Sequence, residues 1–462
     1  MPNYSFKGPA PYQHQITTTA FLIKEPNRWV TSEPGTGKTR SLLCAADLVR
    51  QQRDSRRVLY VCPDAVCETI AREADLWTDL SATVLRGTAQ RRANLLSDTD
   101  TYFYVINYEG VNCILKRLLK KEFDILICDE STRIRTHTTQ RHKNIAQIRR
   151  GVKRCWLATG TPMPRDPFDF FGQMKILDPR VFGCSKVFKK EYLEYAPHPE
   201  IPHKSIVVGY RNQAKLKRIV AKHSIRYLKS ECLDLPPKVF VDWPCPMTRN
   251  QKKIYDQVTN DLRADLPSGG VLTIKSAMGR LMRNHQVASG FLGNQDSYEL
   301  IESGKLDGLM DLLDTLHLHE HKVIIWCWYV PTIWRLSKVL EEHRPAMFFG
   351  DRRFDKDAEV QRFNLDPGCR VMIGNARVGI GCTANVAPYA VYYDLPYFDT
   401  EAWLQSQDRN HRIGQTADKV TYYKLMSPGV DNTIWRNLSG KFKLQDYYTG
   451  DDMKAMAEGT AT

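Results

Sequence analysis

Short apolar runs that alternate with helical patterns constrain the fold of this chain more than any other feature. Each run is rich in Val, Ile, Leu and Tyr and ends in a turn or polar residue, which is typical of buried parallel strands. One set lies early: "RVLYVCP", "TYFYVINY", "DILICDE" and "RCWLATG". Another lies late: "KVIIWCW", "AMFFG", "CRVMIGN", "YAVYYDL" and "KVTYYKL". The predicted fold class is α/β, with two open, doubly wound parallel sheets.

The region between the two sets, about residues 177–320, is basic and mostly helical in pattern. Paired prolines in "DLPPKVF" cannot continue a helix, so we predict the domain boundary there. A helix that packs on a core is predicted from the spacing of Leu306, Leu309, Met310, Leu313 and Leu316. The predicted domains are 1–235 (with a helical insertion at about 177–235), a linker at 236–246, 247–450 (helical at about 247–320) and a flexible tail at 451–462.

Composition restricts the class of protein further. Lys and Arg total 66 against 52 Asp and Glu, a net charge of +14, which indicates either a polyanionic partner or a generally basic surface. The 12 cysteines form no CxxC pair or Cys/His cluster, so we expect reduced thiols rather than disulfides or zinc. No apolar stretch approaches the length of a membrane span or a signal region, so we expect no membrane partner and a cytoplasmic location.

A glycine loop follows the apolar run in "WVTSEPGTGKT" and precedes a helical pattern. Gly35 and Gly37 allow backbone amides to turn around phosphate oxygens, and the helix N-terminus adds its dipole. Lys38 can reach the β- and γ-phosphates, and the Thr39 hydroxyl can hold Mg²⁺. The full P-loop pattern has glycine where Ser32 stands, so its strict form is not met. An ordinary strand-to-helix turn is the alternative, but Gly-Lys-Thr in this context favours a phosphate site.

Two carboxylates end the buried run in "ILICDES". Asp129 is predicted to bind Mg²⁺ through water, and Glu130 to polarise the attacking water. A solvated strand end is the usual reading of such a pair. The pair becomes specific because it follows a phosphate loop by about ninety residues, as in phosphoryl-transfer enzymes.

Arg409 and Arg412 stand three residues apart in "QDRNHRIGQ". If this stretch is helical, both guanidinium groups lie on one face, where an anion would offset their repulsion. We predict that they reach the γ-phosphate across a cleft between the two sheet domains, as arginine fingers do. A solvated basic helix is the alternative.

Taken in order, these stretches resemble the motifs of superfamily-two helicases over nearly the whole chain, most closely the Swi/Snf-type double-stranded DNA translocases. The resemblance implies two RecA-like domains forming a cleft, with ATP and Mg²⁺ as cofactors. Its motif III is the long stretch "WLATGTPMPRDPFDFFGQMKILDPRVFG". The other strings are "PYQHQ" (Q motif), "SEPGTGKT" (I), "LYVCPDAV" (Ia), "VINYEG" (Ib), "CDES" (II), "KVIIWCWY" (IV), "NARVGIGCTAN" (V) and "LQSQDRNHRIGQ" (VI).

The same resemblance implies further site residues. Besides Gly35, Gly37, Lys38 and Thr39, the implied nucleotide contacts are Gln13 (on adenine), Thr36, Gln405 and Asp408. The implied DNA contacts are Pro63, Asn107, Thr159, Thr161, Trp326, Arg377 and Gly379. A further set of residues in the helical region is basic, and its side chains either contact DNA phosphate or form a solvated helix face. The set comprises 211–218, Lys222, Arg226 and Lys229. Trp326 and Trp328 could stack on bases, although tryptophan in an apolar strand is more often core.

Two departures from the family pattern alter these expectations. Ser131 and Thr132 replace the commoner Ala-His, which should change coupling contacts more than the metal site. Val378 stands where the family usually has glycine, beside Gly379 and Gly381. The chain resembles a bare motor, similar to compact forms found in bacteriophages and bacteria.

The predicted function is an ATP-driven translocase on duplex DNA, working as a monomer in a bacterial or phage-infected cytoplasm. Fork or Holliday-junction branch migration is the preferred task. One alternative is a conventional strand-separating DNA or RNA helicase. An alternative of another class is a nucleotide-switched DNA-binding module that clamps rather than moves.

Overall fold

Two parallel sheets form the framework of the computed structural model. It describes residues 4–98, 101–197, 203, 205–261, 263–265, 271–273, 277–293, 297–351, 353–377, 383–397 and 399–449. The chain divides into a first unit, Met1–Leu233 with Lys441–Thr462, and a second unit, Asp234–Gly440. In the described part of the chain, no helix is both long and apolar enough to cross a membrane.

The first unit contains a seven-stranded sheet and one separate antiparallel pair. Its strands are β1 (Asn27–Val30), β2 (Val58–Cys62), β3 (Ala82–Val84), β4 (Phe103–Asn107), β5 (Ile125–Asp129), β6 (Arg154–Ala158), β7 (Leu193–Pro197), β8 (Ser205–Tyr210) and β9 (Ser224–Ile225). The sheet order is β3-β4-β2-β5-β6-β1-β9, and every pairing in it is parallel. β7 and β8 form the antiparallel pair.

Helices lie between these strands. They are α1 (Gln13–Lys24), α2 (Lys38–Gln51), α3 (Cys67–Trp77), α4 (Ala89–Asp98), α5 (Tyr108–Lys120), α6 (Gln140–Arg149), α7 (Phe168–Leu177), α8 (Ser185–Tyr192), α9 (Gln213–His223) and α10 (Lys229–Cys232), with short 3-10 turns at Asp64–Val66 and Ser131–Ile134. Alternate residues of β2 pack into two different apolar clusters, Leu59 in one and Val58 in the other. The sheet is therefore buried on both faces, which explains its continuous apolar runs.

The second unit contains a six-stranded sheet in which every pairing is parallel. The strands of this unit are β10 (Lys238–Pro244), β11 (Arg263–Asp265), β12 (Val271–Thr273), β13 (Phe291–Gly293), β14 (Tyr298–Leu300), β15 (Val323–Cys327), β16 (Ala346–Phe348), β17 (Val371–Asn375), β18 (Tyr389–Tyr392) and β19 (Val420–Met426). The sheet order is β10-β19-β18-β15-β17-β16. β11 pairs with β12, and β13 with β14, as separate antiparallel pairs.

The helices of this part of the chain are mostly short. They are α11 (Arg249–Asp256), α12 (Ala277–Ala288), α13 (Gly304–Thr315), α14 (Val330–Val339), α15 (Lys356–Leu365), α16 (Thr400–Gln407) and α17 (Val430–Thr449), with a π-helical turn at Gln257–Asp261 and a 3-10 turn at Glu341–His343. α13 confirms the predicted leucine helix, because Leu309, Leu313 and Leu316 are buried in the core.

Every apolar run singled out in the sequence is a strand of one of the two parallel sheets, which confirms the α/β fold class. The region at 177–320 contains the expected helices but also the three antiparallel pairs, which its pattern did not predict. The predicted linker at 236–246 is corrected: β10 occupies most of it and pairs along its whole length with β19. Pro237 precedes that strand and accepts the backbone N–H of Val420 (3.0 Å), so the prolines begin the strand.

Candidate active site

The carboxyl ends of three neighbouring strands meet at one edge of the first sheet. Val30 of β1 and Asp129 of β5 are both paired with Ala158 of β6. The chain leaves these strands into the glycine loop, the carboxylate pair and motif III, respectively. Parallel register therefore brings together three stretches that are far apart in the sequence.

The glycine loop has the backbone that phosphate binding needs. Gly35 (φ 81°) and Gly37 (φ 80°) are both left-handed, a conformation that costs glycine little. Gly37 is the N-cap of α2, so the amides at the start of that helix follow the loop directly. The loop and the helix predicted after it are both present, and phosphate binding by the loop stays a prediction. Thr36 is buried, and its hydroxyl donates to the Glu33 carbonyl (2.8 Å).

Lys38 is held against this loop. Its ammonium group donates to the carbonyl oxygens of Ser32 (2.9 Å) and Glu33 (3.0 Å). The same positive charge favours the ionised form of Asp129. The structure therefore brings Lys38 and Asp129 together, and their roles on phosphate and Mg²⁺ stay predictions. Thr39 follows Lys38 in the first turn of α2 and is partly exposed.

Asp129 lies at the end of β5 among polar groups. The Tyr60 hydroxyl donates to its carboxylate (2.9 Å), and the Tyr108 hydroxyl donates to its carbonyl oxygen (2.7 Å). Burial raises the pKa of the Asp129 carboxyl above its ordinary value, while Lys38, Tyr60 and the Glu130 amide oppose that rise. Neither tyrosine was singled out in the sequence, where both looked like ordinary strand residues.

Glu130 has a left-handed backbone (φ 48°, ψ 55°), which is unusual for a residue with a side chain. Its carboxylate accepts a hydrogen bond from the Thr159 hydroxyl (3.2 Å). The Thr159 hydroxyl also accepts the Thr161 N–H (3.1 Å). Such backbone strain persists only where the surroundings enforce it, and it is concentrated at functional sites.

Ser131 connects the carboxylate pair to motif III. Its hydroxyl donates to the Gln173 side-chain oxygen (2.7 Å), and the Gln173 amide donates to the Pro162 carbonyl (2.7 Å). All of Ser131 and Gln173 is buried. Ser131 therefore makes a buried contact with helix α7, and a role of this contact in coupling stays a prediction.

Two residues of "PYQHQ" reach the glycine loop, although neither was singled out. His14 Nε2 lies 2.8 Å from the Thr36 carbonyl oxygen. Gln15 is packed so closely on Gly37 that an added Cβ there would lie 2.1 Å from Gln15 Nε2. Gln13, the predicted adenine contact, is exposed at the start of α1. Its role on adenine stays a prediction.

Ser32, which stands where the full phosphate-loop pattern has glycine, helps to connect the glycine loop to residues 227–229. Its hydroxyl accepts the backbone N–H of Tyr227 (3.1 Å), and the Glu33 carboxylate accepts that of Lys229 (2.7 Å). Neither reading of Arg226 and Lys229, contact with DNA phosphate or a solvated helix face, fits the structure, because these residues are only 6% and 4% exposed. Their segment follows β9 along the glycine loop, where their side chains are withdrawn from solvent.

The two arginines of motif VI do not share a helix face, which corrects the helical expectation. Helix α16 ends at Gln407, and both arginines follow it in turns. Arg409 Nε donates to the Gln405 carbonyl (2.8 Å), and Arg412 Nη1 donates to the Thr383 hydroxyl (2.7 Å). We call residues 408–415 the arginine loop.

Contacts from distant parts of the second unit hold the arginine loop. His411 Nε2 lies 2.8 Å from the Pro236 carbonyl oxygen, and the Tyr422 hydroxyl donates to the Asn410 side chain (3.0 Å). Gln405 and Asp408 are largely buried, and the Gln405 amide donates to Glu401 (3.3 Å). Nucleotide contact by Gln405 and Asp408 stays a prediction.

The predicted DNA contacts have different surroundings. Trp326 is corrected, because its ring is fully buried in β15. Thr159 and Thr161 are buried at the carboxylates, Pro63 is buried, and Asn107 caps α5 by accepting the Gly110 N–H (3.1 Å). Arg377 is exposed, with its guanidinium 3.9 Å from the Trp328 ring centre. Gly379 lies outside the described residues.

Comparison with known proteins identifies a family. The SNF2-related domain family matches residues 14–293, which is more than half of the chain. Protein CHROMATIN REMODELING 4 of Arabidopsis thaliana is 23% identical, covering 96% of this chain and 21% of its own length. The human DNA annealing helicase and endonuclease ZRANB3 is also 23% identical, covering 91% of this chain and 39% of its own length.

A yeast relative and a solved structure are also similar. DNA repair and recombination protein RDH54 of Saccharomyces cerevisiae (strain JAY291) is 23% identical, covering 86% of this chain and 46% of its own length. The chain thus spans less than half the length of these curated relatives. The Sulfolobus solfataricus SWI2/SNF2 ATPase core in complex with dsDNA is 20% identical, with a TM-score of 0.46, covering 100% of this chain and 95% of that one. Because the family match covers most of the chain and includes the glycine loop and both carboxylates, the chain belongs to the SNF2-related family.

Proposed function

We propose that this chain couples ATP hydrolysis to movement along duplex DNA, and that it remodels branched DNA. The observation that carries the proposal is the geometry of Glu130. Its strained backbone places the carboxylate at the sheet edge beside the glycine loop, hydrogen-bonded to Thr159. A carboxylate held in this way is suited to polarise the water that attacks the γ-phosphate.

The residues at this edge fit a nucleotide with Mg²⁺. Two left-handed glycines, a helix N-terminus and Lys38 together form an anion site, and Asp129 adds a carboxylate at the same edge. Thr39 and Asp129 would hold Mg²⁺, which when bound neutralises charge on the β- and γ-phosphates. Lys38 binds the phosphates directly, and its charge partly opposes the rise in the pKa of Asp129 that burial causes.

Arg409 and Arg412 are proposed to stabilise negative charge that develops on the γ-phosphate. The contacts around them support this role, because the arginine loop is fixed by His411 and Tyr422 rather than left to solvent. A guanidinium whose position is fixed loses less freedom when it binds an anion. Hydrolysis would then depend on the second unit as well as the first, which is how such motors couple chemistry to motion.

DNA is the proposed substrate of the motor. The net charge of +14 and the exposed Arg377 favour a polyanionic partner. Two relatives are named for DNA annealing and for DNA repair and recombination, which supports duplex or branched DNA as the form bound. Contacts to phosphate grip a strand without reading its sequence, so we expect sequence-independent binding.

Steady-state ATP hydrolysis with a panel of nucleic acids tests the proposal. Rates would be measured without nucleic acid and with single-stranded DNA, blunt duplex, a four-way junction and duplex RNA, each at two salt concentrations. We expect strong stimulation by duplex and more by the junction, weakening as salt rises. Stimulation by single strands or RNA alone would favour a conventional helicase, and none at all would favour a nucleotide-switched clamp.

A further inference from the structure

A second lysine lies beside the glycine loop. Lys229 is the first residue of α10, and only 4% of it is exposed. A Cβ added to Gly35 would lie 3.0 Å from Lys229 Cε and 3.3 Å from its Nζ. The ammonium end of this side chain is therefore packed against a loop glycine, in the part of the fold where phosphate is expected.

The backbone around Lys229 is tied to the same loop. Its own N–H donates to the Glu33 carboxylate (2.7 Å), and the Tyr227 N–H donates to the Ser32 hydroxyl (3.1 Å). The Glu33 N–H in turn donates to the Tyr227 carbonyl (3.0 Å). These bonds join the segment to the loop at two successive residues, so the lysine keeps its position relative to the loop.

We propose that Lys229 is a second phosphate-binding lysine, whose ammonium group binds a phosphate oxygen of the nucleoside triphosphate at Gly35. The inference rests on the proposed nucleotide site and adds a residue to it. Lys38 approaches the loop from the start of α2, whereas Lys229 approaches it from α10. Two cations at one loop match the several negative charges of a triphosphate, and each ammonium–phosphate contact would be a charge-assisted hydrogen bond.

The competing reading is that the Lys229 stem only shields Gly35 and supports the loop. The two readings predict different effects on nucleotide binding when the charge of Lys229 is removed. A supporting stem is replaced well by methionine, which has similar length and apolar character. Methionine cannot replace a phosphate-binding ammonium group. Loss of that group should weaken the binding of each ligand more, the more phosphate groups the ligand carries.

Equilibrium binding of fluorescent ATP, ADP and adenosine to the full chain, without DNA, separates the readings. Lys229→Met is expected to weaken ATP binding by about 10- to 100-fold, the range for one charge-assisted hydrogen bond, and to leave adenosine unchanged. Lys229→Arg should recover most of the loss. Lys190→Met removes an exposed lysine on α8 and is the matched control, expected to bind like the parent.

Parent-like ATP binding by Lys229→Met would overturn the proposal. An equal loss for ATP and adenosine together with a lower melting temperature would also overturn it, because that pattern belongs to a structural role. If Lys229→Met fails to fold, Lys229→Gln makes the same comparison with a shorter, uncharged polar end. A parent that binds no nucleotide removes both proposals, whereas normal nucleotide binding without DNA stimulation removes only the proposed function.

Discussion

The carboxylate edge of the first sheet and the arginine loop of the second unit carry opposite charges and are built in different ways. Glu130 follows directly from a buried strand, and the register of three parallel strands places it beside the glycine loop. Arg409 and Arg412 follow a helix end, and side chains from distant positions fix their loop.

Because the two regions are built differently, we expect substitutions to affect them differently. At the sheet edge the backbone already places the functional groups, so a change of one side chain removes chemistry and leaves the geometry intact. In the arginine loop the geometry depends on polar contacts such as that of His411 with the Pro236 carbonyl, over 175 residues of sequence. Both regions should be needed for hydrolysis, and the glycine loop of the first unit should contribute most to nucleotide binding.

The largest expected effect is that of Arg412→Ala. Loss of a charge that acts in the transition state should lower the ATP hydrolysis rate by about 10³-fold or more, with most ATP and DNA binding retained. Steady-state hydrolysis and equilibrium nucleotide binding would be measured together. Arg436→Ala, at an exposed arginine of α17, is the control. Parent-like hydrolysis by Arg412→Ala would remove the arginine loop from catalysis.

Glu130→Gln should lower the hydrolysis rate by about 10² to 10⁴-fold, the usual contribution of a general base. The amide keeps the shape of the side chain but cannot polarise water, so the variant should hold ATP without turning it over. Trapped nucleotide would be measured by filter binding, with Glu25→Gln, at an exposed residue, as the control. Normal turnover would show that the sheet edge does not contribute a base.

A smaller effect is expected from Thr159→Val, which removes the hydroxyl that donates to Glu130. Loss of one hydrogen bond to a charged group should reduce the hydrolysis rate by roughly 10-fold or more. The melting temperature should fall modestly, because valine fills the same space but the buried Thr161 N–H loses its acceptor. Thr315→Val, at an exposed residue of α13, is the control. An unchanged rate would mean that motif III does not hold the carboxylate.

The smallest effect should be that of Arg377→Ala, which separates an exposed arginine from those of the arginine loop. Its guanidinium lies over Trp328 and 3.6 Å from Asp399, so it is held but accessible. We expect several-fold weaker DNA binding, a salt slope reduced by about 1, and unchanged hydrolysis without DNA. Arg353→Ala, at an exposed arginine paired with Asp351, is the control. An unchanged salt slope would argue against a phosphate contact at Arg377.

Both parallel sheets, the glycine loop and the carboxylate pair could be predicted from local sequence patterns. Those features are local, because apolar runs follow from burial on both faces and because left-handed glycines mark the loop. Two predictions were wrong: Trp326 is buried rather than a DNA contact, and 236–246 is mostly a strand rather than a linker. Tryptophan in an apolar run is more often core, and the resemblance alone favoured a DNA contact at Trp326. Two prolines before a strand indicate a break in the chain pattern rather than a strand.

The contacts between polar residues could not be predicted from the sequence, because they depend on the tertiary structure. Lys229 looked like part of a basic surface run, yet pairing of β9 with β1 carries its segment along the glycine loop. Ser32, Tyr60 and Gln173 acquire roles through partners that are far away in sequence. Periodicity reports how much of a residue is buried, whereas hydrogen-bond partners depend on strand order and register, which no local pattern encodes.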